Sequence, residues 1–237
     1  MDCVLHQMAE LNEDAAYEMS SGRPGTAIVH LEEAAGRLMD CLTRPSLRTS
    51  TTTSSSCSHT HWTSRVQIPH LHDELFYIYS CAVSYNAPTS TSASSASQSD
   101  VIFELAVVLF NLALAHHQQG NMRKQTSSLQ LALTYYKECY QALQSLSNTE
   151  ANSDNEDILL LTLAVLNNQA QILYQQEQRH ASTDVVVQKL MTHSMHAMVH
   201  QQHEHSNLSM VEQSQIHEFV QNAMLFRLDR PEAAPSA

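Results

Sequence analysis

The clearest structural signal in the chain is the stretch Val101–Asn121, with the sequence VIFELAVVLFNLALAHHQQGN. Its apolar residues recur with the 3.6-residue period of an α-helix, and Gly120-Asn121 is typical of the end of a helix. A second stretch with the same period follows at about residues 126–146. The sequence therefore predicts two neighbouring helices joined by a turn near this glycine.

The spacing of small and large residues in this helical pair recurs elsewhere in the chain. The first two pairs each have a leucine, an alanine four residues later, and a glycine seven residues after that alanine. These positions are Leu11, Ala15 and Gly22 in one pair and Leu109, Ala113 and Gly120 in the other. A third pair repeats the leucine, asparagine and alanine spacing of Leu109, Asn111 and Ala113, at Leu166, Asn168 and Ala170. The pattern indicates an internal repeat of helical pairs.

Periodicity along the rest of the chain predicts an all-α protein of about seven helices. The predicted helices are approximately Val4–Ser20, Thr26–Leu42, Val101–Gln119, Thr126–Leu146, Glu156–Gln176, Thr183–His200 and Met210–Leu228. The predicted organisation is a first helical pair over 1–42, an insertion over 43–99, the second and third pairs over 100–200, and a capping helix with a disordered tail over 201–237.

The repeat resembles the tetratricopeptide repeat (TPR), in which small residues let two antiparallel helices cross closely. Ala15, Ala113 and Ala170 stand at the crossing positions, and the resemblance covers about half of the chain. Gly22 and Gly120 lie much further apart than the ~34 residues of a regular repeat, so the implied fold is an irregular TPR-like stack. The chain is also similar to a group of irregular TPR-like proteins expanded in algae.

The resemblance implies a concave groove lined by the first helix of each pair, and therefore a non-catalytic adaptor that binds a protein segment. The implied groove residues are Asn12, Glu13, Phe110, Asn111, Leu114, His117, Gln118, Asn167, Asn168, Gln171, Tyr174 and Gln175. Carboxamides dominate this set, and each has donors and acceptors for a peptide main chain. Ordinary solvated helix residues are the alternative interpretation. These helices lack the Lys and Arg that would clamp an acidic chaperone tail, so we expect a neutral or basic peptide.

Two Ser/Thr-rich tracts, Ser46–Ser64 and Thr89–Ser99, predict that the insertion is flexible. Between them, Leu75–Tyr85 (LFYIYSCAVSY) has the alternation of a strand. A lone strand is rarely stable, so this segment needs either Trp62–Ile68 as a hairpin partner or a groove to lie in. An alternative function follows, in which residues 75–85 occupy the groove and the protein is autoinhibited or a structural subunit.

The charge balance argues against several partners. Twelve basic residues face twenty-four acidic ones, which gives a formal charge of −12, and the basic residues do not cluster. Nucleic acid and anionic membrane surfaces both require concentrated positive charge, so we expect neither as a partner. The cysteines form no C-x-x-C motif and the first residues are not basic, which favours the cytoplasm, with the nucleus as the alternative.

Catalytic signatures are missing from the sequence. It contains no G-x-S-x-G, P-loop or H-E-x-x-H motif, so we expect neither an enzyme nor a cofactor. A metal-responsive role through the histidine-rich stretch is a third hypothesis, with His196, His200 and His203 as its candidate ligands. The neighbouring Met191, Met195, Met198 and Val199 are expected to form the apolar stripe beside these histidines and to face the core.

Overall fold

The computed structural model describes residues 2–43, 62–68, 78–85, 97–147, 155–176, 181–201 and 210–228. The helices within them are α1 (Asp2–Ser20), α2 (Pro24–Thr43), α3 (Gln98–Arg123), α4 (Thr126–Ser147), α5 (Glu156–Gln175), α6 (Ala181–Gln201) and α7 (Met210–Leu228). The prediction of an all-α protein with about seven helices is confirmed. Most of the two Ser/Thr tracts and the tail after residue 228 lie outside the described residues.

The predicted insertion contributes a short antiparallel hairpin of β1 (Trp62–Gln67) and β2 (Cys81–Tyr85). β1 matches the expected hairpin partner, and β2 is the second half of the expected extended segment. Residues 75–77 of that segment lie outside the described part of the chain. A hairpin partner for the strand is therefore present, and the groove alternative depends on what the other edge of β2 contacts.

The chain forms two compact units. Unit 1 consists of Met1–Leu71 and Ser80–Ile158, and unit 2 consists of His72–Tyr79 and Leu159–Ala237. Unit 1 thus combines the first two helical pairs with the hairpin, whereas unit 2 combines the last three helices with the residues that precede Ser80.

In unit 1, α1 ends as its sequence predicts. Gly22 adopts a φ of +73°, the left-handed conformation that a glycine accepts without strain, and the N–H of Arg23 donates to the carbonyl of Glu18 (2.9 Å). Ala15 and Ala113, the small residues of the predicted crossings, are fully buried. Side chains without bulk at these positions allow neighbouring helices to approach closely.

The predicted end of the central helix near Gly120 is wrong, because α3 continues through Gly120 to Arg123 and Lys124 is its left-handed cap. A Cβ atom at Gly120 would lie 2.6 Å from Cδ2 of Leu129 on α4. Glycine is present here because α4 crosses α3 at this point, and the helix itself does not require it. Local sequence signals cannot distinguish these two uses of a glycine.

Helix α3 forms the centre of unit 1 and is buried on nearly every side. By length and composition it is the one described helix that could cross a membrane, but 83% of its most apolar window is buried inside the protein. Core helices of soluble proteins have the same property, so this is weak evidence for a membrane span.

In unit 2, α6 packs on α7 through a face different from the predicted one. The buried residues of its middle and second half are Val187, Leu190, Ser194 and Ala197. The expected core stripe is wrong: Met195 and Val199 are 59% and 58% exposed. Small residues such as Ser194 and Ala197 permit a close helix crossing, which methionines at the same depth would obstruct.

Candidate functional site

Asn111 of α3 is bonded to both main-chain polar groups of Val83 in β2. Its Oδ1 accepts a hydrogen bond from the N–H of Val83 (2.9 Å), and its Nδ2 donates to the carbonyl oxygen of Val83 (2.6 Å). Both residues are buried, with Asn111 fully inaccessible and Val83 1% exposed. One side-chain amide therefore satisfies both main-chain polar groups of one residue.

Asn12 of α1 completes this network. Its Nδ2 donates to the carbonyl oxygen of Val83 (2.7 Å), and its Oδ1 accepts from Nδ2 of Asn111 (2.7 Å). The carbonyl of Val83 thus accepts two hydrogen bonds, and each amide orients the other. Because every bond joins neutral groups in a buried environment, the network fixes the position of β2 without placing a charge in the core.

The hairpin register explains why Val83 is available to Asn111. The N–H of Ile68 donates to the carbonyl of Ser80 (2.8 Å), and Val66 and Arg65 pair with Ala82 and Val83. In an antiparallel pair, successive residues direct their main-chain groups to opposite edges. Ser80 and Ala82 therefore face β1, whereas Val83 faces the outer edge, where Asn111 and Asn12 bind it.

Unit 2 contains a second network of the same kind. Oδ1 of Asn168 on α5 accepts from the N–H of Tyr79 (3.0 Å), and Nδ2 of Asn168 donates to the carbonyl of Tyr79 (3.0 Å). Asn167 donates to Asn168 (3.3 Å), and Asn222 of α7 donates to Asn167 (2.7 Å). The ring of Tyr79 is fully buried, with its centroid 5.9 Å from that of Phe219. Here too an asparagine binds one whole peptide residue and is oriented by further amides.

Four other groove candidates pack against the helices of unit 1. Phe110 lies against Tyr136 with 5.9 Å between ring centroids, and Nδ1 of His117 is 3.4 Å from the hydroxyl of Tyr136. Nε2 of Gln118 donates to the carbonyl of Met19 (3.1 Å) at the C-terminal end of α1, and Leu114 is buried in the core. The remaining candidates are placed as follows: Glu13 and Gln175 exposed, Gln171 buried, and Tyr174 with its ring 5.7 Å from that of Phe226.

Asn222 is the site residue that sequence reasoning missed. It lies on the buried face of α7 with Phe219, Ala223 and Phe226, at the i, i+3, i+4 and i+7 positions of one helical stripe. An amide inside such a stripe must form a hydrogen bond with a buried partner. The position of Asn222 among apolar residues of α7 was therefore the sequence signal that could have identified it.

Neither the metal hypothesis nor a reactive Cys139 gains support from the described residues. Among them, no group of three or more His, Cys, Asp or Glu side chains could hold a metal ion. His196 is exposed, whereas His203 and the side chain of His200 lie outside what the structure describes. Burial raises the pKa of the Cys139 thiol, and its Sγ donates to the carbonyl of Ala106 (3.1 Å), which are features of an inert packed cysteine.

Comparison of the chain with protein-family models, with curated proteins and with solved structures gave no match.

Proposed function

We propose that this protein is a non-catalytic protein-interaction adaptor whose asparagine side chains bind the main chain of an extended polypeptide. We further propose that residues 78–83 hold these binding positions in the isolated chain. The proposal is carried by a single observation: Asn111 and Asn168 each form hydrogen bonds with both the N–H and the carbonyl of one residue of this segment.

Main-chain recognition supports a binding role because it does not depend on one particular sequence. An asparagine amide presents one acceptor and one donor side by side, as a neighbouring strand does, so any extended residue can satisfy it. Both networks consist of neutral groups, which suits a polypeptide and does not suit a charged small molecule. The resemblance to TPR-like proteins supports the same class of function.

Self-occupancy has a consequence for affinity. A tethered segment competes with an effective concentration of roughly millimolar, so a separate peptide of equal intrinsic affinity binds poorly until the segment is displaced. We therefore expect the unmodified protein to bind extended peptides weakly, and a variant with a weakened segment to bind them well.

The second candidate function is a structural subunit in which β2 is a permanent part of the core. The complete burial of Tyr79 and Ala82 favours it, because removing such residues exposes a large apolar surface. The two candidates differ in one respect: only the adaptor accepts another peptide in place of its own segment.

The distinguishing experiment uses Val83→Pro. Proline removes the N–H that Asn111 accepts and leaves the β1-facing residues Ser80 and Ala82 unchanged. A labelled peptide with the sequence of residues 77–85, YIYSCAVSY, is titrated into both proteins and followed by fluorescence anisotropy. We expect at least about 10-fold tighter binding to Val83→Pro than to the unmodified protein, because the competing segment is weakened.

The control adds Asn111→Ala and Asn168→Ala to Val83→Pro, and this triple variant should no longer bind the peptide. Circular dichroism checks that each variant keeps its helices, and Tyr79→Ala serves as a second weakened protein if Val83→Pro loses them. Peptide binding by neither weakened protein would contradict the adaptor function and leave the structural subunit.

A further inference from the structure

We infer that, in unit 1, the partner is an uncharged extended strand that adds antiparallel to β1 and places a small or β-branched aliphatic residue where Val83 now lies. The inference rests on the proposed function and specifies the chemistry of the partner at that site. It is drawn from the present occupant, β2, and from what surrounds two of its residues.

The backbone of the partner must be extended. The occupant is bound along both edges, by β1 through Ser80 and Ala82 and by Asn111 and Asn12 through Val83. Only an extended chain directs alternate main-chain groups to opposite edges. A helical partner has its N–H and carbonyl groups bonded internally, so it could satisfy neither edge.

The size of the partner's side chains is limited at the positions of Ala82 and Val83. Side chains of successive strand residues point to opposite faces, and here Ala82 and Val83 are both inaccessible, at 0% and 1% exposure. The site is therefore closed on both faces of the strand at these two positions. A larger side chain at either position would require the surrounding residues to move apart.

A charged side chain is disfavoured at the same positions. The side chain of Val83 is buried, and the groups bonded to its main chain are the neutral amides of Asn12 and Asn111 rather than charged side chains. An unpaired charge there would lose its hydration without compensation. This narrows the expectation of a neutral or basic peptide to a segment that is uncharged at the positions of Ala82 and Val83. Cys81, the residue before Ala82, is only half-buried, so a substitution there should be tolerated and provides a comparison.

The test uses the Val83→Pro protein and four labelled peptides based on YIYSCAVSY. The parent peptide is compared with versions carrying Val83→Lys, an N-methyl group on the Val83 nitrogen, or Cys81→Ser. We expect the lysine version to bind about 100-fold more weakly because its charge is buried without a partner. The N-methyl version should bind about 10-fold more weakly because Asn111 loses its donor. The Cys81→Ser version should bind within about 2-fold of the parent, since a hydroxyl can replace the thiol as donor to Gln67.

Each outcome has a distinct meaning. Equal binding of the lysine and parent peptides would overturn this inference and leave the adaptor function standing, whereas failure of the parent peptide to bind would contradict the adaptor function itself. Light scattering of the unmodified protein adds one further outcome. A concentration-dependent dimer that the parent peptide dissociates would assign the site to β2 of a second copy, and would overturn the choice of a separate partner.

Discussion

Asparagine is suited to the role of Asn111 and Asn168 because its side chain carries the same two groups as a peptide bond. The short side chain also leaves few rotamers to immobilise, and a second amide beside it fixes the orientation that remains. Aspartate has the same shape but only accepts hydrogen bonds when ionised. The chemical identity of the amide is therefore what single substitutions should test.

We predict that Asn111→Asp destabilises unit 1 by about 3 kcal/mol or more, because a buried carboxylate would face the carbonyl of Val83 and lose its donors to Val83 and Asn12. Urea denaturation followed by circular dichroism measures the change. Glu13→Gln is the matched control, because Glu13 belongs to the same expected groove but is exposed, and it should change stability by less than about 0.5 kcal/mol. Equal effects of the two substitutions would show that Asn111 has no special role.

Glu104 of α3 gives a prediction about pH. It is 1% exposed, and among the described residues neither carboxylate oxygen has a hydrogen-bond partner. Burial raises its pKa to about 8, and the Asp100 carboxylate adds to the increase. Between its ordinary pKa of 4.5 and about 8, the unfolded chain is ionised at this position while the folded protein holds a proton, so stability decreases as pH rises through this window.

Glu104→Gln removes this titration. We expect the variant to be more stable than the unmodified protein at pH 8, by a difference on the order of 3 kcal/mol, and the two to be similar near pH 4.5. Burial lowers the pKa of His116, so this histidine destabilises the protein at acid pH. Its effect is the same in the variant and the unmodified protein, and it cancels when the two are compared at the same pH. A stability difference that does not change between pH 4.5 and 8 would contradict the buried protonated carboxyl.

Among the secondary-structure elements, α3 and α4 approach each other closely at Gly120. We predict that Gly120→Ala destabilises the protein by about 1–3 kcal/mol, although alanine is the better helix former, because its Cβ would overlap Leu129 of α4. Gly36→Ala is the control: no atom lies within 4 Å of a Cβ there, so we expect stabilisation by about 0.5–1 kcal/mol. Thermal unfolding of both variants provides the comparison, and stabilisation by both would show that the crossing tolerates a methyl group.

The elements also differ in how far the sequence predicts them. The bounds of α7 are predicted without error, because the sequence has a capping-box pattern, Ser209-x-x-Glu212, at its start and Pro231 shortly after its end. The buried face of α6 cannot be predicted in the same way, because the helix has two apolar stripes. One stripe contains its methionines and the other contains Val187, Leu190 and Ala197, and only packing on α7 determines which of them is buried. The asparagines and the extended segment are each visible in the sequence. Their contact is not, because it joins residues as far apart as Asn12 and Val83 through an insertion whose path no local pattern specifies.

For the protein as a whole, the same arrangement occurs independently in each compact unit: a helix-borne asparagine holds one residue of a single extended segment. Val83 belongs to unit 1 and Tyr79 to unit 2, and they are separated by only three residues of chain. We therefore expect Val83→Pro to weaken a contact within unit 1 and Tyr79→Ala to weaken a contact within unit 2.

Native-state hydrogen exchange at single amides tests directly whether asparagine holds the main chain of this segment. Val83 faces Asn111 whereas Ala82 faces β1, so the two adjacent amides depend on different partners. In the unmodified protein both amides should be protected. In Asn111→Ala we predict that the Val83 amide exchanges about 10-fold or more faster relative to that of Ala82, because its acceptor has been removed. An unchanged ratio of the two exchange rates would contradict the account.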